Sequence, residues 1–375
     1  MLGSDVKFAE GESRTRELFV RLRLDPALTL ALLSLVGIGL VVLYSASGAD
    51  SAVMFRQSIR LLLGFIAMLS LAQVSTHKLR LWSPWFYAAS IVSLILVFYI
   101  GDVGKGAQRW LDLGIMRFQP SELTKLIVPM TVAGYLANKS LPPNWKAVLV
   151  AAVIFIVPMM MIVKQPDLGT ALLVGSAGFV CIFLSGVSWI LLIVAGLIMC
   201  AAMPLAWNFL RDYQQQRVLT FLNPESDPLG SGYHIIQSKI AIGSGGVYGK
   251  GWLNGTQSHL DFLPERSTDF IFSVLAEEFG LFGVLAVLVL YGFIVLRGLR
   301  IASRARDSYS RMVAGSIALT FFVYLFVNVG MVSGLLPVVG VPLPLVSYGG
   351  TSMVTLMAGF GILMSVNMDK RLHPG

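Results

Sequence analysis

The residues whose chemistry stands out lie in the stretch FLPERSTDFIF, residues 262–272, where a polar loop meets an apolar run. Asp269 is the last charged residue before that run, and Glu265 lies in the same stretch. Ionisable groups at a membrane boundary are costly and are usually functional. A carboxylate held there can accept a proton from a hydroxyl group, as a general base does. The alternative is that Thr268 or Asp269 caps the following helix, because short polar side chains satisfy unpaired backbone N–H groups.

A second polar stretch, GAQRWLDLGIMRFQPSELTK at residues 106–125, ends a loop and begins a helix, since Pro120 and Ser121 are typical helix-start residues. Glu122 and Lys125 have i,i+3 spacing, so they share one face of that helix. Arginine offers phosphate a planar fork of donors, and lysine offers a compact positive charge. One hypothesis places Lys125 near an anion, with Glu122 holding it. The other is a buried ion pair that ties helices together.

Three further motifs have simpler interpretations. KQPDLGT, residues 164–170, predicts a tight connection in which Asp167 caps the helix beginning at Leu168. GSGGVYGKG, residues 243–251, fails the phosphate-loop pattern G-x-x-x-x-G-K-[ST], so flexible turns or backbone packed close to a ligand are expected instead. VGVPLPLVSYGGTS, residues 339–352, contains two prolines and a glycine pair, which predicts either non-helical backbone lining a cavity or an ordinary loop.

The composition predicts a polytopic membrane protein. The 375 residues are 56% hydrophobic and 13% charged, with a mean hydropathy of +0.76, whereas about 25% of the residues of a soluble domain are charged. Positive residues in cytoplasmic loops explain the net charge of +8, so no nucleic-acid partner is expected. Cys181 and Cys200 lie in apolar runs, and His234 and His259 are isolated, so we expect no disulfide and no metal site.

Helix length then defines the fold class. A helix needs about 20 apolar residues to cross a bilayer core, which predicts an all-α polytopic membrane protein with about ten transmembrane helices in a single domain, residues 1–375. The expected spans are 27–46, 58–75, 82–100, 121–138, 146–163, 168–186, 188–207, 270–296, 312–335 and 346–367.

The distribution of lysine and arginine predicts the orientation. These residues concentrate in short loops that would all face the cytoplasm together with both termini, and residues 1–24 form a cytoplasmic arm. A large extracytoplasmic loop, residues 208–269, then lies between helices 7 and 8. Some cations fall on the outer side against this rule, namely Lys105, Arg109, Arg117, Lys164 and Lys239. An anionic ligand at the outer leaflet, such as a lipid diphosphate, would explain them. Pairing with Asp102, Asp112 and Glu122, or contact with lipid head groups, is the alternative.

The sequence as a whole resembles the SEDS family, named for shape, elongation, division and sporulation. The matching segments occur in order across residues 28–367 and are GAQRWL, RFQPSELTK, QPDLGTALL, DPLGSGYHIIQSKIAIGSGGVYGKG, LPERSTDFIFSVLAEEFG and PLPLVSYGGTS. Together they are very specific. The sequence of the large loop resembles the elongation branch of the family rather than the division branch, and the short N-terminal arm agrees with this.

The resemblance implies a ten-helix peptidoglycan glycosyltransferase of the bacterial inner membrane that polymerises lipid II during cell elongation and maintenance of rod shape. It also implies a class B penicillin-binding protein as partner, which cross-links the new glycan strand, together with other membrane proteins of the elongation complex. The family's essential aspartate maps onto Asp269, which follows Ser267–Thr268 here rather than His–Thr. The expected substrate-binding residues are Lys105, Arg109, Gln119, Glu122, Lys125, Lys239, Glu265 and Ser347.

In the implied reaction the 4-hydroxyl of the acceptor sugar attacks the anomeric carbon of the donor, and undecaprenyl pyrophosphate leaves. Asp269 would deprotonate the hydroxyl, while cations, with Mg²⁺ or another divalent cation as an open alternative, would neutralise the leaving group. The rival hypothesis is a flippase for a lipid-linked precursor. Two observations count against a flippase, because the sequence shows no inverted repeat of interrupted helices and its polar residues concentrate at the outer face. A structural scaffold, the third possibility, would not need Asp269.

Overall fold

The computed structural model describes residues 19, 21–104, 107–112, 117–208, 212–223, 231–260, 262–263 and 265–372. In these parts the chain is mainly helical. Its elements in chain order are α1 (Pro26–Ala46), α2 (Ser51–Ala72), α3 (Thr76–Ile100), β1 (Asp102–Gly104), β2 (Ala107–Asp112), β3 (Arg117–Phe118), α4 (Pro120–Leu136), α5 (Trp145–Lys164), α6 (Leu168–Leu184), α7 (Trp189–Trp207), α8 (Asp212–Leu222), α9 (Ser231–Ser244), α10 (Thr256–His259), α11 (Ile271–Ser303), α12 (Ser308–Val332) and α13 (Thr351–Leu372).

The helices confirm the predicted fold class. By length and composition, seven described helices can cross a membrane, namely α1, α2, α3, α5, α11, α12 and α13. Two shorter apolar helices, α6 and residues 189–202 of α7, add to these. The remaining predicted span corresponds to α4, which is 17 residues long and carries Glu122 and Lys125. The ten predicted spans therefore each correspond to one helix.

Three predicted helix boundaries are wrong by about two turns, namely the starts of α2 and α3 and the end of α11. Helix α2 begins at Ser51 and not at residue 58, because the Asp50 side chain caps it by accepting hydrogen bonds from Ala52 N at 2.7 Å and Val53 N at 3.4 Å. Arg56 therefore lies inside the helix rather than in a polar flank. The last helix shows the opposite error, because α13 begins only at Thr351 and the preceding residues are not helical.

Two polar regions that the sequence indicated as loops contain regular structure. The described parts of residues 102–118, strands β1, β2 and β3, form a three-stranded antiparallel sheet of order β1-β2-β3. The region 208–269 contains α8, α9 and α10. Helix α9 is fixed to the bundle through Ser238, whose Oγ lies 2.8 Å from Ser273 Oγ on α11 and donates a hydrogen bond to the Val332 carbonyl on α12 at 2.5 Å.

The glycine-rich stretch at residues 243–251 packs against the backbone of α11. Gly280 interrupts α11 with φ 62° and ψ −161°, and a Cβ on it would lie 2.6 Å from the Val247 carbonyl oxygen. The backbone N–H of Lys250 donates to the Glu277 carbonyl at 3.0 Å, and the N–H of Leu281 donates to the Gly246 carbonyl at 3.0 Å. Close backbone packing was expected here, but the partner is a helix.

At the opposite end of α11 a buried carboxylate joins three helices. Asp25 caps α1 by accepting a hydrogen bond from Leu28 N at 2.9 Å. Its two oxygens also accept bonds from Arg297 Nε at 3.1 Å, Arg297 Nη2 at 2.7 Å and Asn367 Nδ2 at 3.0 Å. Because these partners belong to α11 and α13, Asp25 holds the start of α1 against the last helices of the chain.

Candidate functional site

The chain enters α11 through a turn at residues 265–270, called the Asp269 turn below. It is fixed through the backbone carbonyls of residues 267–269. Their donors, in the same order, are Tyr348 N at 2.8 Å, Ser347 Oγ at 2.6 Å and Asn328 Nδ2 at 2.8 Å. Because the turn contributes only backbone atoms to these three bonds, they do not depend on the side chain of Asp269.

Asp269 is half-buried and precedes α11 directly. The N-cap residue of α11 is Phe270, which makes no side-chain cap hydrogen bond. The Thr268 hydroxyl instead donates to the Glu265 side chain, at 2.8 Å from Oε2. Phe270, rather than Thr268 or Asp269, therefore occupies the N-cap position of α11. Asp269 Oδ2 lies close to Gly340, where an added Cβ would be 3.5 Å from it.

Non-helical residues 339–350, called the proline segment below, connect the Asp269 turn to a second polar cluster. Beside Gly340, the Val339 carbonyl oxygen packs against Gly169, at 2.7 Å from where a Cβ would lie. Gly169 belongs to the first turn of α6. Asp167 caps this helix, with Oδ1 accepting a hydrogen bond from Thr170 N at 3.2 Å. The predicted cap is therefore confirmed.

Asp167 also joins elements that are distant in sequence. Its Oδ2 accepts a hydrogen bond from Gln119 Nε2 at 3.0 Å, just before α4. Arg109 Nη1, from β2, lies 4.0 Å from the same oxygen. The other donors of Arg109 bind the α5–α6 connection, through Nε to the Gln165 carbonyl at 3.2 Å and through Nη2 to the Pro166 carbonyl. The cluster therefore brings together two of the predicted substrate-binding residues and Asp167.

A buried ion pair lies further along α4. Lys125 Nζ donates to Glu122 Oε1 at 2.7 Å and contacts the Tyr324 hydroxyl on α12 at 2.5 Å. Lys125 and Glu122 are each only 5% exposed. The ion-pair hypothesis is confirmed as geometry, while the role of Lys125 in binding an anion stays a prediction. Asn328 follows Tyr324 by one turn of α12, so a single face of this helix contacts both Lys125 and the Asp269 turn.

A small cavity of about 30 Å³ lies beside this lysine between α4, α12 and α13. Its walls are mostly apolar and consist of Lys125, Leu126, Pro129, Ile317, Thr320, Phe321, Tyr324, Thr355, Leu356, Gly359 and Phe360. A smaller cleft of about 10 Å³ is lined by the proline segment and the start of α13. Non-helical backbone at a cavity is the first of the two alternatives predicted for residues 339–352.

The remaining predicted site residues lie around these groups. Ser347 is buried, and its hydroxyl bonds two backbone groups, so it positions the Asp269 turn. Lys239 is exposed on α9, with its side chain lying over Gly334 at the end of α12. Glu265 is exposed within the Asp269 turn. Lys105 lies outside the described residues. Substrate contact by any of these residues stays a prediction.

Sequence reasoning missed two residues of this site, and it gave a third only part of its role. Tyr324 and Asn328 lie in an apolar helix, and Asp167 was expected to act only as a cap. The available signal was the presence of polar side chains within a membrane span, which usually marks function. Spacing along one helix could not show that Asn328 reaches the backbone of both Asp269 and Val341, at 2.8 and 2.7 Å.

The described donor groups bear on metal binding. Mg²⁺ prefers several oxygen ligands in octahedral geometry and is usually held by one or two carboxylates together with substrate phosphates. The described residues contain no group of three or more His, Cys, Asp or Glu side chains placed to hold a metal ion. No site made by the protein alone therefore fits a divalent cation in the described part of the chain.

Comparison with known proteins adds independent information. The sequence model of the FtsW, RodA and SpoVE family, described as cell cycle proteins, matches residues 26–372. The peptidoglycan glycosyltransferase MrdB of Escherichia coli strain K12 is 52% identical over 353 residues, which cover 94% of this chain and 95% of MrdB. The peptidoglycan glycosyltransferase RodA of Treponema pallidum strain Nichols is 33% identical over 420 residues, with 92% and 97% of the two chains covered.

Solved structures agree with the sequence comparison. A chain of a peptidoglycan synthase complex, studied for the structural coordination of polymerization and crosslinking, superposes with a TM-score of 0.82 at 32% identity and covers 93% of this chain and 99% of that one. The rod shape determining protein RodA of Thermus thermophilus superposes with a TM-score of 0.70 at 30% identity, covering 93% and 98%. The chain thus belongs to the SEDS family of FtsW, RodA and SpoVE.

Proposed function

We propose that this protein is a peptidoglycan glycosyltransferase that polymerises lipid II during cell elongation, and that Asp269 is its catalytic base. The observation that carries the assignment of Asp269 is the Asp269 turn, in which neighbouring elements hold three consecutive carbonyls and so fix the carboxylate at the end of a membrane helix. A base that is already positioned loses little entropy when it reacts. The names of the relatives support the activity.

In this mechanism Asp269 takes the proton of the acceptor hydroxyl as that oxygen attacks the anomeric carbon of the donor sugar. The bond from that carbon to the diphosphate oxygen breaks, and the lipid diphosphate leaves with its electron pair. Asp269 is connected through Gly340 and Gly169 to the Asp167 cluster, which contains Arg109. Arg109 and Lys125 would stabilise negative charge on the leaving diphosphate, which is usually the largest single contribution to catalysis.

Two other groups support binding in this proposal. Gln119 and Glu122 position the cations, because one bonds Asp167 and the other bonds Lys125.

Polymerisation of purified lipid II in detergent, with wild-type protein and Asp269→Ala, tests this proposal. Wild type should form glycan strands and Asp269→Ala should not, with both proteins produced and inserted equally. A flippase or a scaffold would form no strands in either case. Strand formation by both proteins would support the enzyme but remove Asp269 as its base.

We also propose that the protein works with a class B penicillin-binding protein and with other membrane proteins of the elongation complex. The synthase complex that resembles this chain, with its coordinated polymerization and crosslinking, supports a cross-linking partner. Co-purification of such a transpeptidase with wild type and with Asp269→Asn tests the partnership separately from catalysis. Loss of co-purification from both would contradict it.

The chain is a multi-pass membrane protein, and we propose that it resides in the inner membrane with both termini in the cytoplasm. The positive loops support this orientation. Single cysteines at Asn254 and Ser303, both exposed, can be placed in a Cys200→Ala background, because Cys200 is exposed and Cys181 is buried. An impermeant thiol reagent added outside should label position 254 and leave position 303 unlabelled. The reverse pattern would invert the orientation.

A further inference from the structure

Two arginines lie inside membrane helix α2, one helical turn apart. Arg56 Nε donates a hydrogen bond to the Tyr348 hydroxyl at 3.2 Å. The guanidinium carbon of Arg60 lies 4.3 Å from the centroid of the Tyr348 ring, in a cation–π contact. Both side chains therefore converge on one tyrosine of the proline segment. The span predicted from sequence, residues 58–75, contains Arg60 but excludes Arg56, so the sequence does not show the two as a pair within one helix.

These arginines differ from the cations near Asp269 that were predicted from sequence. Lys125 is paired with Glu122, and Arg109 lies beside Asp167. Among the described residues, no carboxylate forms an ion pair with Arg56 or Arg60, and Arg60 Nη1 is buried without a hydrogen-bond partner. Unpaired positive charge within a membrane helix is costly, so such groups usually line a ligand or ion pathway.

The position of the pair connects it to the reaction. The backbone N–H of Tyr348 donates to the Ser267 carbonyl at 2.8 Å, within the Asp269 turn. On the same helix, Gln57 Nε2 donates to the Ser347 carbonyl at 3.4 Å. The arginines therefore approach the turn through Tyr348, whereas the Asp167 cluster approaches it through Gly340. Two separate cationic groups meet the same turn through different parts of the proline segment.

A polymerase that joins two lipid-linked sugars must hold two diphosphates, one on the donor and one on the acceptor. We propose that Arg56, Arg60 and Tyr348 form a second diphosphate subsite for an isoprenoid-linked substrate, separate from the subsite of Arg109 and Lys125. Arginine presents a planar fork of donors to phosphate oxygens. The Tyr348 hydroxyl accepts from Arg56 and can donate its own hydrogen to a phosphate oxygen. This inference rests on the proposed function.

The test measures binding rather than turnover. Full-length protein in nanodiscs of neutral phospholipid is titrated with undecaprenyl diphosphate, and bound lipid is counted by native mass spectrometry. Wild type should bind two molecules per chain. The variant R56Q/R60Q should bind one, with affinity at the second site lowered about tenfold or more, since hydrogen bonds to charged groups are lost. The matched control R300Q/R304Q changes two exposed arginines elsewhere and should bind two.

Parallel titrations with phosphatidylglycerol and with inorganic pyrophosphate distinguish the sources of phosphate. One outcome is that R56Q/R60Q loses the second undecaprenyl diphosphate while phosphatidylglycerol binds the wild-type site as tightly as undecaprenyl diphosphate does. That result would identify an ordinary lipid head-group site and overturn the proposal. Unchanged stoichiometry in R56Q/R60Q would overturn it as well. If that variant is not stably inserted, Y348F decides, because it keeps the ring under Arg60 and removes the hydroxyl. It should weaken binding a few-fold, and equal binding would reject the subsite.

Polymerisation by the wild type is measured separately, so the two proposals can fail independently. A protein that binds two diphosphates but forms no glycan strands would contradict the proposed function and leave the subsite intact. A protein that polymerises lipid II while R56Q/R60Q retains both binding events would contradict only the subsite.

Discussion

Replacing Asp269 by asparagine separates catalysis from structure most directly. The substitution preserves the size of the side chain and removes its ability to take a proton. The backbone carbonyl of Asp269 keeps its bond to Asn328, and the neighbouring carbonyls keep theirs. Since Phe270 occupies the N-cap position of α11, Asp269 does not occupy the cap that the substitution could weaken. Asp269→Asn should therefore be produced and inserted at wild-type levels.

Its catalytic effect should be large. Loss of a general base typically lowers the rate by about 10²–10⁴-fold, which corresponds to roughly 3–5 kcal/mol of transition-state stabilisation. The assay is lipid II polymerisation by purified protein, with co-purification of the transpeptidase partner as a measure of native structure. Asp269→Asn should lose strand formation while it retains the partner.

Glu265→Gln is the matched control, because Glu265 is an exposed carboxylate of the same turn. It should polymerise lipid II within a few-fold of wild type. If Asp269→Asn instead remains within a few-fold of wild type, Asp269 is not the base, and the reasoning from the Asp269 turn is refuted. Loss of activity in Glu265→Gln alone would identify Glu265 as the base.

The other predictions concern the framework of the site and are measured by thermal unfolding in detergent. Asn328→Ala removes two hydrogen bonds and leaves two backbone carbonyls without their donor, so the unfolding free energy should fall by about 2–4 kcal/mol. In the polymerisation assay its kcat should fall more than its KM rises. Equal stability would show that the turn is held without it. Asp25→Ala leaves Arg297 without its carboxylate partner and should lower the unfolding free energy by a few kcal/mol. Asp25→Asn should lower it less. Gly280→Ala places a Cβ against backbone atoms at a residue of positive φ and should lower the unfolding free energy by at least about 1–3 kcal/mol. Gly292→Ala in the same helix places its Cβ where no atom lies within 4 Å and should leave the stability nearly unchanged.

The fold class followed from the sequence because hydropathy reports directly on the membrane as solvent. Each of ten apolar runs became one helix. The boundaries were less certain where polar residues lie inside a span. The predicted second span begins at residue 58, although the Asp50 cap starts that helix at Ser51, so Arg56 and Gln57 lie within it. A capping aspartate followed by a polar residue is indistinguishable from a loop when only hydropathy is counted.

The internal structure of the polar regions was not predictable in the same way. Helix α9 is held by Ser238, whose hydroxyl contacts a side chain on α11 and a carbonyl on α12. These contacts join residues 35 and 94 positions apart in the chain. The same holds for Asp167, whose cap was predictable from local sequence and whose bond to Gln119 was not. A helix cap can be predicted from neighbouring residues, whereas hydrogen bonds between distant residues depend on how the whole bundle packs.

The arrangement around Asp269 explains why the proline segment is not helical. A helix through residues 339–350 would direct its backbone groups to one another, because helical N–H groups bond carbonyls of their own turn. Here Tyr348 N bonds the Asp269 turn, and the carbonyl of Val341 accepts from Asn328. The positive φ values of Gly340 and Leu345, 72° and 64°, break the helical path at two points. A leucine at positive φ is strained, and such strain persists only where surrounding contacts fix it. The segment therefore uses non-helical backbone to connect α2, α6 and α12 to a single turn, and these connections hold the backbone that carries Asp269.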